Sequence, residues 1–183
     1  GISDQPLNQN GEQQASSLAP RLEKMTFDGF YSSDLIRVQR TAKLALNGNS
    51  ESLVLDVRLQ EFNFGGWEGL NWSEARKRDQ AVFDLWADDR EQNPHGGERL
   101  SDVVARVDSF LEEIKAQYSK DDNVLIFAHG GTLGVLVSHL LGTDPNRWWQ
   151  YRFSNCGLTE MMLLKRGAIL MRLNDCSHIA DSN

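Results

Sequence analysis

The chain has 183 residues, is 40% hydrophobic and 25% charged, and carries a formal net charge of −7, which suits one globular domain with a sizeable core. The acidic balance excludes a broad nucleic-acid or polyphosphate surface, because that needs clustered Lys and Arg, so a phosphate site here has to be local. No apolar run approaches the roughly 20 residues that span a bilayer, and Cys156 and Cys176 have neither disulfide-framework nor zinc-ribbon spacing; a cytoplasmic protein without metal or membrane is the expectation.

The opening Gly1-Ile2-Ser3-Asp4-Gln5-Pro6-Leu7 lacks an initiator methionine and reads like the inside of a loop. From Asn8 to Met25, Ala15, Leu18, Ala19, Leu22 and Met25 fall at helical spacing, with Asn8 or Asn10 as N-cap. Phe27 to Ser32 is aromatic-rich and short, a strand that runs into Ser33-Asp34, a helix-starting pair. Arg37 then lies in the first turn of a helix, with Arg40 and Thr41 one turn on. A guanidinium there presents a fork of donors matched to phosphate oxygens, whereas Arg40 reads as a surface residue.

Leu53 to Leu59 alternates like another strand. It leads into Gln60-Glu61-Phe62-Asn63-Phe64-Gly65-Gly66-Trp67-Glu68-Gly69-Leu70. Glycines allow tight turns while Phe62, Phe64 and Trp67 bury a flank, leaving Glu61 or Glu68 in partly apolar surroundings that raise a carboxyl pKa. That is the property of a general acid, and the residues alone leave both glutamates open. From Asn71, with Glu74 as capping-box partner, one long polar helix is expected through Trp86, suited to a lid or outer layer. Residues 91–98 break the pattern as a turn, with His95 a solvated loop histidine.

Leu100, Val103, Val104, Val107, Phe110, Leu111, Ile114 and Tyr118 recur at i, i+3, i+4 and i+7, the signature of a helix packed on a sheet. Val124 to Ala128 is a buried strand that delivers His129 beside Gly130, Gly131 and a new apolar helix through Leu141. Helix N-termini carry unpaired N–H groups and partial positive charge that suit an anion, so this junction is the expected phosphate site. His139 on that helix reads as a packing residue. A turn at Asp144-Pro145 follows, then Ser154-Asn155-Cys156-Gly157. Leu158 to Leu164 and Ala168 to Leu173, joined by Lys165-Arg166-Gly167, read as a β-hairpin. Cys176 and His178 near the end satisfy no ligand spacing.

Arg37, Glu61 and His129 each follow a strand, and open α/β sheets bind ligands at the carboxyl ends of their strands. Arginine and histidine stabilise transferring phosphoryl oxygens while a carboxylic acid protonates the leaving oxygen. No nucleophile is evident. Gly130 to Gly134 lacks the GxGxxG spacing of a dinucleotide fold, and Ser32 and Ser33 stand in no GxSxG elbow.

Ser32-Ser33-Asp34-Leu35-Ile36-Arg37 with Thr41, Glu61 with Phe64 to Gly69, His95 to Glu98, Ala128-His129-Gly130-Gly131 and Asn155-Cys156-Gly157 resemble, in order and over essentially the whole chain, the histidine phosphatase superfamily, also called phosphoglycerate mutase-like. Gly1 to Leu7 resembles its Gly-x-x-Asp-x-Pro-Leu segment. The resemblance implies a single domain over 1–183 with a three-layer α/β fold, a mostly parallel central sheet and a phosphohistidine mechanism without metal or cofactor. By position His129 matches the second active-site histidine, Arg37 the phosphate-gripping arginine and Glu61 the general acid. Gly1, Gly130 and Asn155 match substrate-side positions.

The family's nucleophilic histidine stands in an Arg-His-Gly motif after its first strand, and this sequence contains no Arg-His pair. The expectation is that the first strand is missing here. Because an unpaired central edge is costly to a marginally stable domain, the 183-residue stretch is expected to express poorly and to turn nothing over by itself. Where mutases carry His-Gly-Asn and an arginine after the acid, this chain has Gly131 and Phe62, and the Phe-Gly-x-Trp-Glu-Gly run is similar to small phosphatases of the α-ribazole phosphatase type. A phosphatase for a small phosphorylated metabolite is therefore expected; a mutase-type phosphotransferase and an inactive phosphate-binding domain are the alternatives, and a homodimer stays open.

Overall fold

The computed structural model describes residues 1–92 and 95–179. In chain order the helices and strands are α1 (Gln9–Ser17), α2 (Ala19–Leu22), β1 (Gly29–Ser32), α3 (Ile36–Ala45), β2 (Leu53–Leu55), α4 (Trp72–Arg78), α5 (Gln80–Asp88), α6 (Leu100–Gln117), β3 (Val124–Phe127), α7 (Gly130–Leu141), β4 (Leu158–Leu163) and β5 (Ala168–Asp175). Three strands form a parallel sheet in the order β2-β1-β3, with Tyr31 of β1 beside Val54 on one side and Ile126 on the other. β4 and β5 pair antiparallel as the expected hairpin, turned at Gly167 with φ +76°.

Alternation along the strands divides the core. Leu125 and Phe127 join Leu18, Leu22, Val38, Ala42 and Leu46 in a cluster under α1, α2 and α3. Tyr31, Val124 and Ile126 face the other way, onto Val103, Val107, Phe110, Leu111 and Ile114 of α6 and Val135, Leu136 and Leu140 of α7. Successive side chains of a strand point to opposite faces, so the sheet is the middle of three layers. A third cluster, built on Trp67, Ala75 and Trp86, forms around α4 and α5. Among the described residues no helix is long and apolar enough to cross a membrane.

Four element boundaries differ from the sequence expectation. The helix expected over 8–25 is capped at Asn8, whose Oδ1 accepts the Gly11 N–H at 2.8 Å, but it breaks before Ala19; Pro20 has no N–H to continue the ladder. The strand expected through Leu59 ends at Leu55, because the Asp56 carboxylate accepts the Arg58 N–H and pairs with its guanidinium at 2.6 Å, winding Val57–Leu59 into a 3₁₀ turn. Asn71 and Glu74 do form the capping box, yet the helix they start stops at Arg78. There Asp79 leaves helical geometry and its carboxylate accepts from Trp67 Nε1. Finally, α3 begins at Ile36 rather than at Ser33-Asp34, and its Ile36 N–H donates to Asp4 Oδ1 at 2.7 Å from the opening segment. Of the turn expected at 91–98, Asn93 and Pro94 lie outside the described residues.

Candidate active site

Parallel pairing puts the carboxyl ends of β1, β2 and β3 on one edge, and each sends one of the three expected side chains there. β1 ends at Ser32, and the chain enters α3 with Arg37 as its second residue. β3 ends at Phe127, leaving His129 in extended geometry as the N-cap of α7. β2 continues through the 57–59 turn to Glu61. The structure brings all three together: Arg37 Nη2 lies 3.2 Å from His129 Nδ1, and the Glu61 carboxylate accepts the N–H groups of Gly131 at 3.1 Å and Thr132 at 3.2 Å, just after His129.

The imidazole's neighbours fix its tautomer. A guanidinium only donates, so Nδ1 accepts from Arg37, and the ring proton sits on Nε2, which donates to Ser33 Oγ at 3.0 Å. Ser33 is fully buried and His129 nearly so. Burial, with the Arg37 guanidinium next in weight, pushes the His129 pKa down to about 3. The ring is therefore held neutral at pH 7, with its Nδ1 lone pair turned to the guanidinium.

The second and third N–H groups of α7, those of Gly131 and Thr132, are taken by Glu61, which also accepts the Phe62 N–H at 3.0 Å. The contact is close enough that a Cβ on Gly131 would come within 2.5 Å of Glu61 Oε1 and 2.8 Å of the Phe62 ring; glycine is required there. Gly130 is exposed with open space where a side chain would stand. Arg37 has five N–H donors. Three of them donate, to Ser3 O at 2.8 Å, Gly1 O at 2.6 Å and His129, and the other two have no partner among the described residues. Among the described residues no carboxylate pairs with it. A half-buried cation without a counter-ion, beside a neutral imidazole, is a site that an oxyanion completes.

Glu68 has a different task from the raised-pKa acid the sequence left open. It accepts the N–H groups of Ile2 at 3.1 Å, Ser3 at 2.9 Å and Phe64 at 2.9 Å, and the Ser3 hydroxyl at 2.6 Å. Although burial opposes it, the Ser3 hydroxyl and these N–H groups bring its pKa down to about 2. Glu68 and Arg37 thus hold residues 1–3 between them, and Gly1 belongs to the site through its carbonyl. Asn155 is exposed, next to Cys156 at φ +59°, and makes none of the hydrogen bonds that link Arg37, Glu61 and His129.

The other histidines stand apart. His95 faces Asp79 at 3.2 Å, so it is not simply solvated; His139 faces Asp108 at 3.2 Å, and His178 Nε2 lies 2.9 Å from Cys156 O. Among the described residues no three His, Cys, Asp or Glu side chains are grouped to hold a metal ion. Three supporting residues escaped the sequence reading. Ser33 was read as a helix start, and Asp4 gave no sign of capping α3. Arg106 pairs with Glu98 at 2.9 Å and donates to Arg58 O at 2.6 Å and Glu61 O at 3.3 Å, clamping the loop that carries the acid. Its position on the buried side of an amphipathic helix was the available signal.

A parallel sheet between helical layers, with arginine and histidine at its carboxyl edge, defines an α/β phosphate-handling protein. Residues 1–176 match the model of the histidine phosphatase superfamily, branch 1, and the chain belongs to that family. It is 27% identical over 186 residues to "Phosphoserine phosphatase 1" of Hydrogenobacter thermophilus, covering 99% of this chain and 86% of the relative. It is 30% identical over 189 residues to "Probable phosphoglycerate mutase GpmB" of Erwinia tasmaniensis, covering 100% and 87%. The α-ribazole phosphatase structure from Shigella flexneri superposes with a TM-score of 0.86 at 28% identity, covering 96% of this chain and 87% of that one.

Proposed function

We propose that the chain belongs to a phosphomonoester hydrolase that works through a phosphohistidine intermediate on a small phosphorylated metabolite. The observation that carries this is the unpaired Arg37 guanidinium against the neutral His129 at the carboxyl edge of the sheet. Arg37 grips the phosphoryl oxygens, and His129 takes up a proton as the dianion arrives and shares their charge. Glu61, held on the Gly131 and Thr132 N–H groups just after His129, protonates the departing oxygen. Gly130, exposed beside His129, and the exposed Asn155 are assigned to the substrate side by this reading. Hydrolysis is favoured over mutase chemistry by Phe62, which is buried and stacked 5.1 Å from Trp148 and so offers no cation to a second acidic group.

The attacking histidine is not among the residues of this sequence that meet at the site, and the test uses that. Supplied with an Arg-His-Gly segment ahead of Gly1, the extended chain is expected to release phosphate from monoesters and to trap acid-labile phosphohistidine, with His129→Ala slowing both. The 183-residue chain binds phosphate without turnover. Rapid hydrolysis by the 183-residue chain that depends on His129 would contradict the mechanism; isomerisation of 3-phosphoglycerate by the extended chain would make it a mutase.

A further inference from the structure

Beside the phosphate site lies a cavity of about 310 Å³, lined chiefly by Gly1, Phe64, Glu68, Leu70 and Trp72. We infer that it receives the leaving group of the substrate, and that this group is an uncharged aromatic ring; the inference rests on the phosphate-site reading above.

The cavity adjoins that site through one residue. Gly1 lines it, and the Gly1 carbonyl accepts from Arg37 Nη2 at 2.6 Å. Only Gly1 therefore stands between a phosphoryl group on Arg37 and the cavity. The volume is at the small end of ligand pockets, room for one or two fused rings.

The lining selects flat apolar matter. Trp72 is 49% exposed and Leu70 36%, large apolar surfaces left in water where a ligand would cover them. Trp72 is not loose: its ring stacks on buried Trp86 at 5.3 Å and meets Phe64 edge-on at 5.1 Å, and Trp86 is backed by the Arg90 guanidinium 3.8 Å from its ring. A rigid indole with one side supported is a stacking platform. The aromatic wall then continues through Phe64 to Phe62, stacked at 5.9 Å, beside the Glu61 acid. Charge points the same way. Glu68 is the one ionised side chain in the lining, and its oxygens are already engaged by residues 2, 3 and 64. A second phosphate or a carboxylate on the leaving group would meet the negative charge of Glu68.

The test is equilibrium binding of non-hydrolysable phosphonates to the 183-residue chain, followed by tryptophan fluorescence and calorimetry. Benzylphosphonate should bind about tenfold more tightly than methylphosphonate, as an aromatic contact with its burial supplies. Trp72→Ala should abolish that advantage while leaving methylphosphonate affinity unchanged, and Trp72→Phe should restore part of it. Leu70→Ser, which removes apolar lining without adding charge, should lower benzylphosphonate affinity alone. Equal affinity for the two phosphonates in the unaltered chain, or an advantage that survives both Trp72→Ala and Leu70→Ser, would overturn the assignment. Failure of methylphosphonate and inorganic phosphate to bind at all would instead overturn the phosphate site, and the leaving-group pocket with it.

Discussion

Arg37 and His129 share a single hydrogen bond, Nη2 to Nδ1 at 3.2 Å, in which the cation donates and the neutral ring accepts. The pair has one positive charge and, among the described residues, no carboxylate on it. The contact exists because parallel pairing carries the ends of β1 and β3 to the same edge, and because α3 and α7 both start there.

The fork of Arg37 matters as much as its charge. Lysine keeps the charge but cannot reach the Gly1 and Ser3 carbonyls, His129 and an anion at once. Arg37→Lys is expected to weaken inorganic phosphate binding by about 10- to 100-fold, the range set by one or two charge-assisted hydrogen bonds. Titration calorimetry at fixed ionic strength measures it.

Ser33→Ala removes the acceptor of the His129 Nε2–H in a fully buried spot. An unsatisfied buried donor costs about 1–3 kcal/mol. The urea midpoint should fall accordingly with an unchanged slope, and the ring proton of His129 should lose its fixed position in the imidazole nitrogen spectrum.

Much of this was legible beforehand, for identifiable reasons. The period of 3.6 in Leu100 to Tyr118 and the apolar run before His129 are local signals, and they placed α6, β3 and the imidazole correctly. Arg37 and Glu61 stood out because each was read as following a strand; β2 ends at Leu55 and reaches Glu61 only through the 57–59 turn. What failed was long-range. Asp4 caps α3 from 32 residues away, Glu61 fills a helix N-terminus 70 residues downstream, and Glu68 ties down the opening segment. None of these has a local pattern, since the partner is supplied only by the fold. Pro20 and Asp79, which break two expected helices, were visible in the sequence; the apolar spacing across them outweighed their local chemistry.

Acid should weaken the fold in two separable stages. His129 is held at about 3 in the fold against an ordinary 6.5, so the unfolded chain binds the extra proton. Its contribution is complete above pH 6.5 and is lost as pH falls toward 3, with a slope approaching about 1.4 kcal/mol per pH unit. Glu68, at about 2 against 4.5, adds its own loss only as pH falls below 4.5. Unfolding free energies between pH 7 and 5 should therefore decline in the native chain and decline less in His129→Gln.

Glu61→Gln replaces one oxygen that accepts N–H bonds from α7 with an NH₂ group, and it removes the acid. In a chain supplied with an Arg-His-Gly segment ahead of Gly1, its effect should depend on the leaving group. Alkyl phosphates should slow by 10²-fold or more, and p-nitrophenyl phosphate, whose leaving oxygen needs no proton, much less. Steady-state kcat for the two substrates gives the ratio; equal losses would assign Glu61 a purely structural part.

The most direct measurement is the titration of the His129 ring by heteronuclear NMR, with and without inorganic phosphate, in the native chain and in Arg37→Ala. Phosphate at the Arg37–His129 contact should raise the His129 pKa from about 3 by at least two units, saturably, and Arg37→Ala should remove that phosphate response. A His129 ring that titrates identically with and without phosphate, or a phosphate response that persists undiminished in Arg37→Ala, would show that the anion binds elsewhere.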